Sequence, residues 1–246
     1  MEMKEMKAKL CGMKTLEAAQ AAVEAGADFV GFIFCPQSKR NISPGAAAKI
    51  CSEIGFRARK VGVFVDEELY RVNVIAELCH LDYVQLHGHE DADYIRQIRR
   101  PVIKAVPYGP DFSAREINRL PAELILVDTY LPGMAGGTGE TFDWRSAAKE
   151  IKKIKQSVLI AGGINVDNVK EAWDTFHPYG VDVSGGLETD GEKDIQKIQA
   201  FMQRVKVINR RKEMPKGLVV DEEHTGGDCP EEEGNCSGCQ ASNALG

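Results

Sequence analysis

Eight short apolar runs, each followed by a segment of helical character, constrain the fold of this 246-residue chain more than any other feature. The runs are rich in Val and Ile and apolar almost throughout, which is typical of strands buried on both faces of a parallel sheet. They recur at intervals of about 20 to 35 residues. The runs occupy residues 9–12, 28–34, 60–65, 82–88, 101–107, 124–130, 158–164 and 181–188.

The segments between the runs carry helix signals. Gly26 is a typical helix stop, Ser43 before Pro44 has the order of an N-cap and first helical residue, and Asp66 is predicted to cap the third helix. Eight strand–helix units in about 200 residues predict an α/β fold, a single closed (β/α)8 TIM barrel over residues 7–208. An open doubly wound sheet is the alternative, but no G-x-G-x-x-G fingerprint follows the first strand.

Composition and charge narrow the range of partners. The chain is 43% hydrophobic and 28% charged, as is ordinary for a globular domain. Its net charge of −6 is concentrated in residues 213–246, where eight acidic residues stand against one lysine. The nearly neutral remainder offers no nucleic-acid patch and no basic membrane-binding helix. With no run near the ~18 apolar residues of a membrane span and no apolar secretory signal, we expect a cytoplasmic protein that acts on a small molecule.

The C-terminal segment, residues 209–246, is rich in Gly, Glu and Cys and has few large apolar side chains, so we expect a flexible, disordered extension. His224, Cys229, Cys236 and Cys239 lie within 16 residues and are possible ligands for zinc or an iron–sulfur cluster. Their spacing matches no standard zinc motif. An acidic tail with incidental cysteines explains the same residues, and metal binding is one of two open interpretations.

In a barrel of this kind the active site lies at the C-terminal ends of the strands. Glycine-rich turns follow the seventh and eighth strands, and paired turns of this kind let backbone N–H groups approach a phosphate closely. Either turn alone is a weak signal, because Gly-Gly is more often only a tight turn. The predicted phosphate-binding residues are Gly162, Gly163, Asn165, Ser184, Gly185 and Gly186.

Asp128 ends the sixth run and is followed by a glycine-rich loop, residues 131–141, rather than by a helix that it could cap. A carboxylate ending an apolar strand is costly unless paired or solvated, so a catalytic acid or base is favoured, with the loop as a cover over the site. Cys11 and Cys35 follow the first two strands. Each is either a small apolar filler or a reactive thiol, and position alone does not choose between them.

Further candidates for substrate contact lie on the same face. Arg40 follows the second strand and either faces solvent or pairs bidentately with a carboxylate. His87 either contacts substrate or bonds the barrel rim, and Gln85 and Gly137 are also assigned to substrate binding. A thiol, a carboxylate, an arginine and phosphate turns around one opening indicate acid–base chemistry on a phosphorylated small molecule without a cofactor, most simply an isomerisation.

Six motifs stand in order along the chain: "KLCG", "GADFVGFIFCPQSKRNISP", "VQLHGHE", "VDTYLPGMAGGTGETFDW", "LIAGGINVDNV" and "VDVSGGLET". Together they resemble the phosphoribosylanthranilate isomerase family of tryptophan biosynthesis, over about residues 8–206. The resemblance implies a single-domain barrel that needs no cofactor. It also implies an Amadori rearrangement of N-(5-phosphoribosyl)anthranilate into the 1-deoxyribulose 5-phosphate derivative.

The same resemblance implies roles for individual residues. Cys11 matches the general base, Asp128 the general acid, and Arg40 the residue that binds the anthranilate carboxylate, while the glycine-rich turns match the phosphate site. The chain departs from the family pattern in two places. It has Ser184-Gly185 where two serines are common, which leaves the backbone turn intact, and it has Cys35 where an aromatic residue is common.

Two other functions remain open from the residues. One is a different phosphate-binding barrel enzyme, such as indole-glycerol-phosphate synthase, which would need a catalytic lysine; Lys104 on the fifth strand comes closest. The other is a non-catalytic barrel that serves as a scaffold for a metal-binding tail. Both a monomer and a homodimer fit the sequence.

Overall fold

Eight parallel strands close into a barrel in sequence order, with β1 between β2 and β8, which confirms the predicted fold class. This computed structural model describes residues 5–129 and 144–213. The predicted substrate contact at Gly137, its loop and the four candidate metal ligands of the tail lie outside the described residues. The barrel strands are β1 Lys7–Cys11, β2 Phe29–Ile33, β3 Arg59–Phe64, β4 Tyr83–Leu86, β5 Val102–Pro107, β6 Leu124–Asp128, β7 Ser157–Ala161 and β8 Gly180–Val183.

Successive residues of each strand point alternately outward and into the barrel. The outward side chains, such as Leu10, Val30 and Phe32, join the main hydrophobic core with the helices. Inward side chains form a second apolar cluster inside the barrel. Its buried members are Phe29, Val61, Tyr83, Ile103, Ala105, Leu124, Leu126, Leu159 and Ala161.

Helices connect successive strands, and two of them, α4 and α5, are only four residues long. The Ser43 side chain accepts the backbone N–H of Ala46 and Pro44 is the first residue of its helix, as predicted. The last helix continues past residue 208 to Glu213. Among the described helices, none is long and apolar enough to cross a bilayer. The helices are α1 Leu16–Glu24, α2 Pro44–Ile54, α3 Leu69–Leu78, α4 Ala92–Ile95, α5 Ala114–Ile117, α6 Trp144–Ile151, α7 Val169–Phe176 and α8 Ile195–Glu213.

The predicted cap of the third helix is wrong. Helix α3 begins at Leu69, and Glu68 holds the N-cap position without a side-chain cap bond. Asp66 lies too far ahead of the helix to reach its first N–H groups. It adopts a φ of 47°, and its carboxylate accepts the backbone N–H of His89 instead. Asp66 therefore joins the loop after β3 to the loop after β4.

Candidate active site

The C-terminal ends of the strands form the mouth of the barrel, and the predicted functional residues lie there. Cys11 is the last residue of β1, and Asp128 is the last residue of β6. The two glycine turns, residues 162–163 and 184–186, follow β7 and β8. Strands β6, β7, β8 and β1 are consecutive neighbours around the barrel. The glycine turns consequently lie between the strand that carries the carboxylate and the strand that carries the thiol.

The Cys11 thiol is buried, with 4% of the residue exposed, in space that the neighbouring strand leaves open. Gly31 on β2 is the Cα partner of Cys11, and a methyl group at Gly31 would come within 2.8 Å of Sγ. A glycine therefore lets the thiol fit between the two strands. The Ser184 hydroxyl donates to the Cys11 carbonyl at 3.1 Å, which ties the end of β1 to the turn after β8.

Two charged side chains that the sequence interpretation missed lie next to this thiol. Lys9 precedes Cys11 by two residues on β1 and is fully buried, and its Nζ lies 2.7 Å from Oδ1 of Asp182 on β8. Burial raises the pKa of the Cys11 thiol above its ordinary value, although attraction to the Lys9 ammonium opposes the rise. Burial thus disfavours the thiolate of Cys11, and the Lys9 ammonium favours it. The sequence did contain a signal for this pair, because Lys9 and Asp182 are charged residues within otherwise apolar strands. A buried charge requires a partner.

The two glycine turns contact each other, as their pairing in the sequence predicts. The backbone of Gly186 lies against the turn after β7, and a methyl group at Gly186 would come within 2.3 Å of the Ile164 carbonyl oxygen. Gly162 and Gly163 have φ values of 93° and 69°, in the left-handed region. Successive backbone groups in such conformations form concave surfaces that suit an anion.

Asn165, which was also predicted to bind phosphate, forms hydrogen bonds within its own loop. Its side-chain Oδ1 accepts the backbone N–H groups of Asp167 and Asn168, at 2.8 and 3.1 Å. Its own backbone N–H donates to Oδ1 of Asn168 at 2.8 Å. Because these groups are engaged inside the turn, Asn165 shapes the loop before α7 rather than presenting those atoms to a ligand.

Arg40 lies across the mouth, with its side-chain stem over Gly12 and its Nη2 beside Gly185. Its Nε and Nη2 donate to the two carboxylate oxygens of Glu188 at 2.6 and 2.7 Å. Lys193 donates to the same carboxylate at 2.6 Å. A guanidinium has five N–H donors in a planar fork, and within the described residues Glu188 engages only Nε and Nη2 of Arg40.

Glu188 and Lys193 were also missed by the sequence interpretation. They lie on β9, Glu188–Thr189, and β10, Glu192–Lys193, which pair antiparallel after β8. Burial opposes the charge of Glu188, but hydrogen bonds from Arg40 and Lys193 lower the pKa of its carboxyl to about 2. Glu188 ends the apolar run "VDVSGGLE", yet nothing in the local pattern identifies an arginine 148 residues away as its partner.

On the opposite side of the mouth, His87 lies between Gln85 and Asp128. His87 Nε2 is 3.7 Å from Asp128 Oδ2, and Gln85 Nε2 is 3.3 Å from His87 Nδ1. Gln85 is buried, and its Oε1 has no hydrogen-bond partner within the described residues. When the Gln85 amide donates to Nδ1, the ring proton resides on Nε2 and faces the carboxylate of Asp128.

Lys104 does not reach the mouth as a free amine. It is buried on β5, and its Nζ lies 2.9 Å from Glu90 Oε2 and donates to the Gly88 carbonyl at 2.6 Å. Glu90 in turn accepts the backbone N–H groups of Gly88 and Asp66. These contacts hold the loop after β4 in place and leave no role for Lys104 as the catalytic lysine of another barrel enzyme.

The second thiol near the mouth, Cys35, is more exposed than Cys11, and its Sγ lies 3.1 Å from the side-chain oxygen of Gln37. Arg40, Lys9 and Asp182 contribute to the electrostatic environment of Cys11. Within residues 5–129 and 144–213, no cluster of three or more His, Cys, Asp or Glu side chains could hold a metal ion.

Comparison with known proteins decides the family. The family model described as N-(5'-phosphoribosyl)anthranilate (PRA) isomerase matches residues 8–204. The chain belongs to the phosphoribosylanthranilate isomerase family. The resemblance inferred from the six motifs is thereby confirmed, over nearly the same residues.

Individual relatives support the assignment to the isomerase family. The N-(5'-phosphoribosyl)anthranilate isomerase of Bacillus mycoides (strain KBAB4) is 41% identical over 205 residues, 83% of this chain and 100% of that protein. The structure of monomers of the dimeric isomerase from Thermotoga maritima has a TM-score of 0.72 at 36% identity, covering 82% of this chain and 99% of that one. An isomerase in complex with reduced 1-(o-carboxyphenylamino)-1-deoxyribulose 5-phosphate has a TM-score of 0.70 at 37% identity, with the same coverage.

Proposed function

We propose that the chain catalyses the isomerisation of N-(5'-phosphoribosyl)anthranilate to 1-(2-carboxyphenylamino)-1-deoxyribulose 5-phosphate, a step of tryptophan biosynthesis. The order of groups around the mouth carries this proposal: Asp128 on β6, the glycine turns after β7 and β8, and Cys11 on β1. A phosphate bound by the turns would leave the attached sugar between a carboxylic acid and a thiol. The molecule bound to the related isomerase has the phosphate and the carboxylate that such a site would address.

Asp128 is the proposed general acid. It would donate a proton to the furanose ring oxygen while the C1–O bond breaks and the nitrogen lone pair forms a C1=N Schiff base. His87 is the neighbour of this carboxyl group, with its Nε2 3.7 Å from Asp128 Oδ2. A positioned acid of this kind typically contributes about 10² to 10⁴-fold to the rate.

Cys11 is the proposed general base. As a thiolate it would remove the proton from C2 of the sugar. The C2–H electron pair would form the C1=C2 bond of an enolamine while the C1=N π pair returns to nitrogen, and tautomerisation would give the aminoketose. A thiolate is the reactive form, yet burial raises the pKa of this thiol. The base therefore has to be ionised against its apolar surroundings, and the nearby cations Lys9, Lys193 and Arg40 favour that ionisation.

Arg40 is the proposed binding residue for the anthranilate carboxylate. Glu188 occupies one edge of its guanidinium through Nε and Nη2, and this leaves the edge formed by Nη1 and Nη2 for a substrate carboxylate. Bidentate pairing of that kind fixes the angle of a ligand as well as its affinity. Glu188 thus serves to orient Arg40, and the phosphate and carboxylate of the substrate would be bound at two separate points.

The proposal is tested by rescue of a tryptophan auxotroph that lacks this isomerase, together with conversion of N-(5'-phosphoribosyl)anthranilate by the purified full chain. We expect rescue by the wild type and by Cys35→Ala, and no rescue by Cys11→Ala. Cys35→Ala is the matched control, because it removes the other thiol near the mouth. A correctly folded wild-type chain that fails to form the aminoketose would contradict the proposed function.

Isomerases of this family need no cofactor for catalysis. We propose separately that the tail binds a zinc ion or an iron–sulfur cluster through His224, Cys229, Cys236 and Cys239, an assignment supported by the Cys-x-x-Cys spacing alone. Metal analysis of the full chain, purified under reducing and metal-replete conditions, tests it. The matched variant carries Cys229→Ser, Cys236→Ser and Cys239→Ser. Equal metal content in the two proteins would remove this idea.

We also propose that the enzyme works in the cytoplasm as a monomer or a homodimer on its small phosphorylated substrate, without nucleic acid or membrane partners. The nearly neutral charge of residues 1–212 supports the exclusion of nucleic acid. The related Thermotoga maritima enzyme is described as dimeric, with monomers generated from it. Light scattering of the purified full chain distinguishes the two assemblies, and cell fractionation tests the location.

A further inference from the structure

The interior of the barrel contains an ion pair among apolar side chains. Lys9 on β1 and Asp182 on β8 are Cα partners across the two strands that close the barrel. The ammonium of Lys9 lies 2.7 Å from Oδ1 of Asp182, and the side chains are 0% and 11% exposed. Apolar residues such as Ile103, Leu126 and Leu159 fill the barrel at the level of the middle of β5 to β7.

Stability alone is a poor reason for such a pair. Taking a lysine and an aspartate out of water costs more than their attraction commonly returns, and buried pairs can often be replaced by apolar residues without loss. Burial lowers the pKa of Lys9, but attraction to Asp182 and the hydrogen bond to its carboxylate act in the opposite direction, and the net shift is upward. A buried ammonium is thus maintained inside the barrel.

The position of Lys9 connects it with the thiol. Residues two apart on a strand point to the same side, so Lys9 and Cys11 both face the interior, and Lys9 lies deeper. The Lys9 ammonium and the Cys11 side chain also interact electrostatically, each favouring the charged form of the other. On the other side of the thiol, Gly31 leaves only enough space for Sγ, because a methyl group there would come within 2.8 Å. The sulfur is therefore confined at the end of β1, on the face of the strand that also carries Lys9.

Other charged groups also act on Cys11 and have to be considered. Lys193 on β10 and Arg40 after β2 are both close enough to attract a thiolate. Both of them also bind the Glu188 carboxylate, whose negative charge partly offsets their attraction for a thiolate. Asp182 opposes ionisation of the thiol. Among all these groups, Lys9 has the largest favourable effect on the thiolate.

We propose that Lys9 is the buried counter-ion of the Cys11 thiolate, and that Asp182 holds its ammonium beneath the sulfur. Lys9 is thus a positioning residue that acts through Cys11 and stays protonated throughout. On ionisation the thiol proton leaves to solvent, and during turnover the thiolate takes the C2 proton of the substrate. This assignment deepens the proposed isomerase function and rests on Cys11 being its base.

The test is the pH titration of Cys11 in the full chain. The alkylation rate with iodoacetamide follows the thiolate fraction, and mass spectrometry of the Cys11 peptide separates this thiol from the others. We expect the midpoint to rise from wild type to the double variant Lys9→Met/Asp182→Asn, and to be highest in Lys9→Met. The single variant leaves Asp182 facing the thiol, and at a fixed pH near neutrality it should react about tenfold more slowly or worse than wild type.

The double variant keeps the test decisive if Lys9→Met fails to fold, because it removes both charges together. The matched control is Lys104→Met/Glu90→Gln, which removes the other buried lysine–carboxylate pair and should titrate like the wild type. Midpoints that agree between wild type and the Lys9 variants would overturn the proposal. So would an equal rise in the Lys104 control, because the shift would then reflect general loosening of the barrel.

The same variants distinguish a failure of this inference from a failure of the proposed function. Isomerase activity in the wild type with an unmoved titration would overturn the role of Lys9 and leave the function standing. A shifted titration without wild-type isomerase activity would support the Lys9–Cys11 pairing and contradict the function. In an active enzyme, the acid limb of the kcat profile should move to higher pH in the double variant, in parallel with the thiol titration.

Discussion

Lys9 and Lys104 are both buried lysines on barrel strands, and both are paired with a carboxylate, yet their surroundings differ. Lys104 donates to backbone carbonyls as well as to Glu90, and Glu90 accepts backbone N–H groups of the loops after β3 and β4. Lys9 pairs with the carboxylate of Asp182 and lies two residues before Cys11, on the same face of β1. The comparison teaches that burial and pairing alone do not reveal the task of a lysine. A pair that also bonds backbone groups of two loops supports those loops, whereas a pair on the same strand face as a proposed catalytic thiol is placed to control the charge of that thiol.

The largest expected effect tests whether the thiol above Lys9 is the reactive one. Cys11→Ser and Asp128→Asn should each lower kcat by about 10² to 10⁴-fold, because each removes a proposed proton-transfer group. Single-turnover kinetics with N-(5'-phosphoribosyl)anthranilate measure this effect. Cys35→Ser is the control and should keep nearly full activity. A reversed result, with Cys35→Ser inactive and Cys11→Ser active, would show that Cys11 is not the general base. Lys9 would then have no role in the reaction.

The next effect concerns the stability of the Lys104 pair. Lys104→Met should lower the free energy of unfolding by about 3–5 kcal/mol, because Glu90 is left as an unpaired buried charge. Urea denaturation at neutral pH measures the loss. The double variant Lys104→Met/Glu90→Gln should recover part of it. If the single variant were as stable as the double, the interpretation of this pair as a support for the loops would be wrong.

Much of the fold could be predicted from the sequence, because its signals are local. Eight apolar runs with helical segments between them imply the barrel, and the strand ends then fix which residues reach the mouth, including Cys11 and Asp128. The pairing of the two glycine turns was also accessible, since turns after neighbouring strands must lie together. The cap predicted at Asp66 failed because an N-cap has to stand directly before the helix, and the helix starts at Leu69.

The charged contacts of the site were beyond the reach of local patterns. Lys9 and Asp182 are 173 residues apart in the chain, and Arg40 and Glu188 are 148 apart. Such pairs follow from barrel closure and from strand register, and the register of β1 against β8 is not encoded in either segment alone. From the sequence alone, Lys9 and Asp182 are charged residues inside apolar strands. Each is expected to have a partner, but the sequence does not identify it.

A smaller effect is expected at Arg40, which joins the Lys9 side of the mouth to the substrate. Arg40→Lys should raise KM by about tenfold with little change in kcat, because a lysine cannot present a bidentate fork to a carboxylate. Steady-state kinetics measure the two constants separately. The control is Arg57→Lys, since that guanidinium donates to the carbonyls of Glu53 and Ile54 away from the mouth. An unchanged KM in Arg40→Lys would contradict the carboxylate-binding role.

The smallest effect concerns a third lysine–carboxylate pair, Lys193 with Glu188, which lies at the rim rather than inside the barrel. Hydrogen bonds from Arg40 and Lys193 overcome burial and lower the pKa of the Glu188 carboxyl from 4.5 to about 2. Its contribution to stability is therefore fully present above about pH 4.5 and is lost as the pH falls through about 2. The difference in unfolding free energy between wild type and Glu188→Gln should shrink over that window, as measured by urea denaturation at several pH values. A difference that stays constant from pH 5 to pH 2 would mean that Arg40 and Lys193 do not stabilise the ionised carboxylate of Glu188.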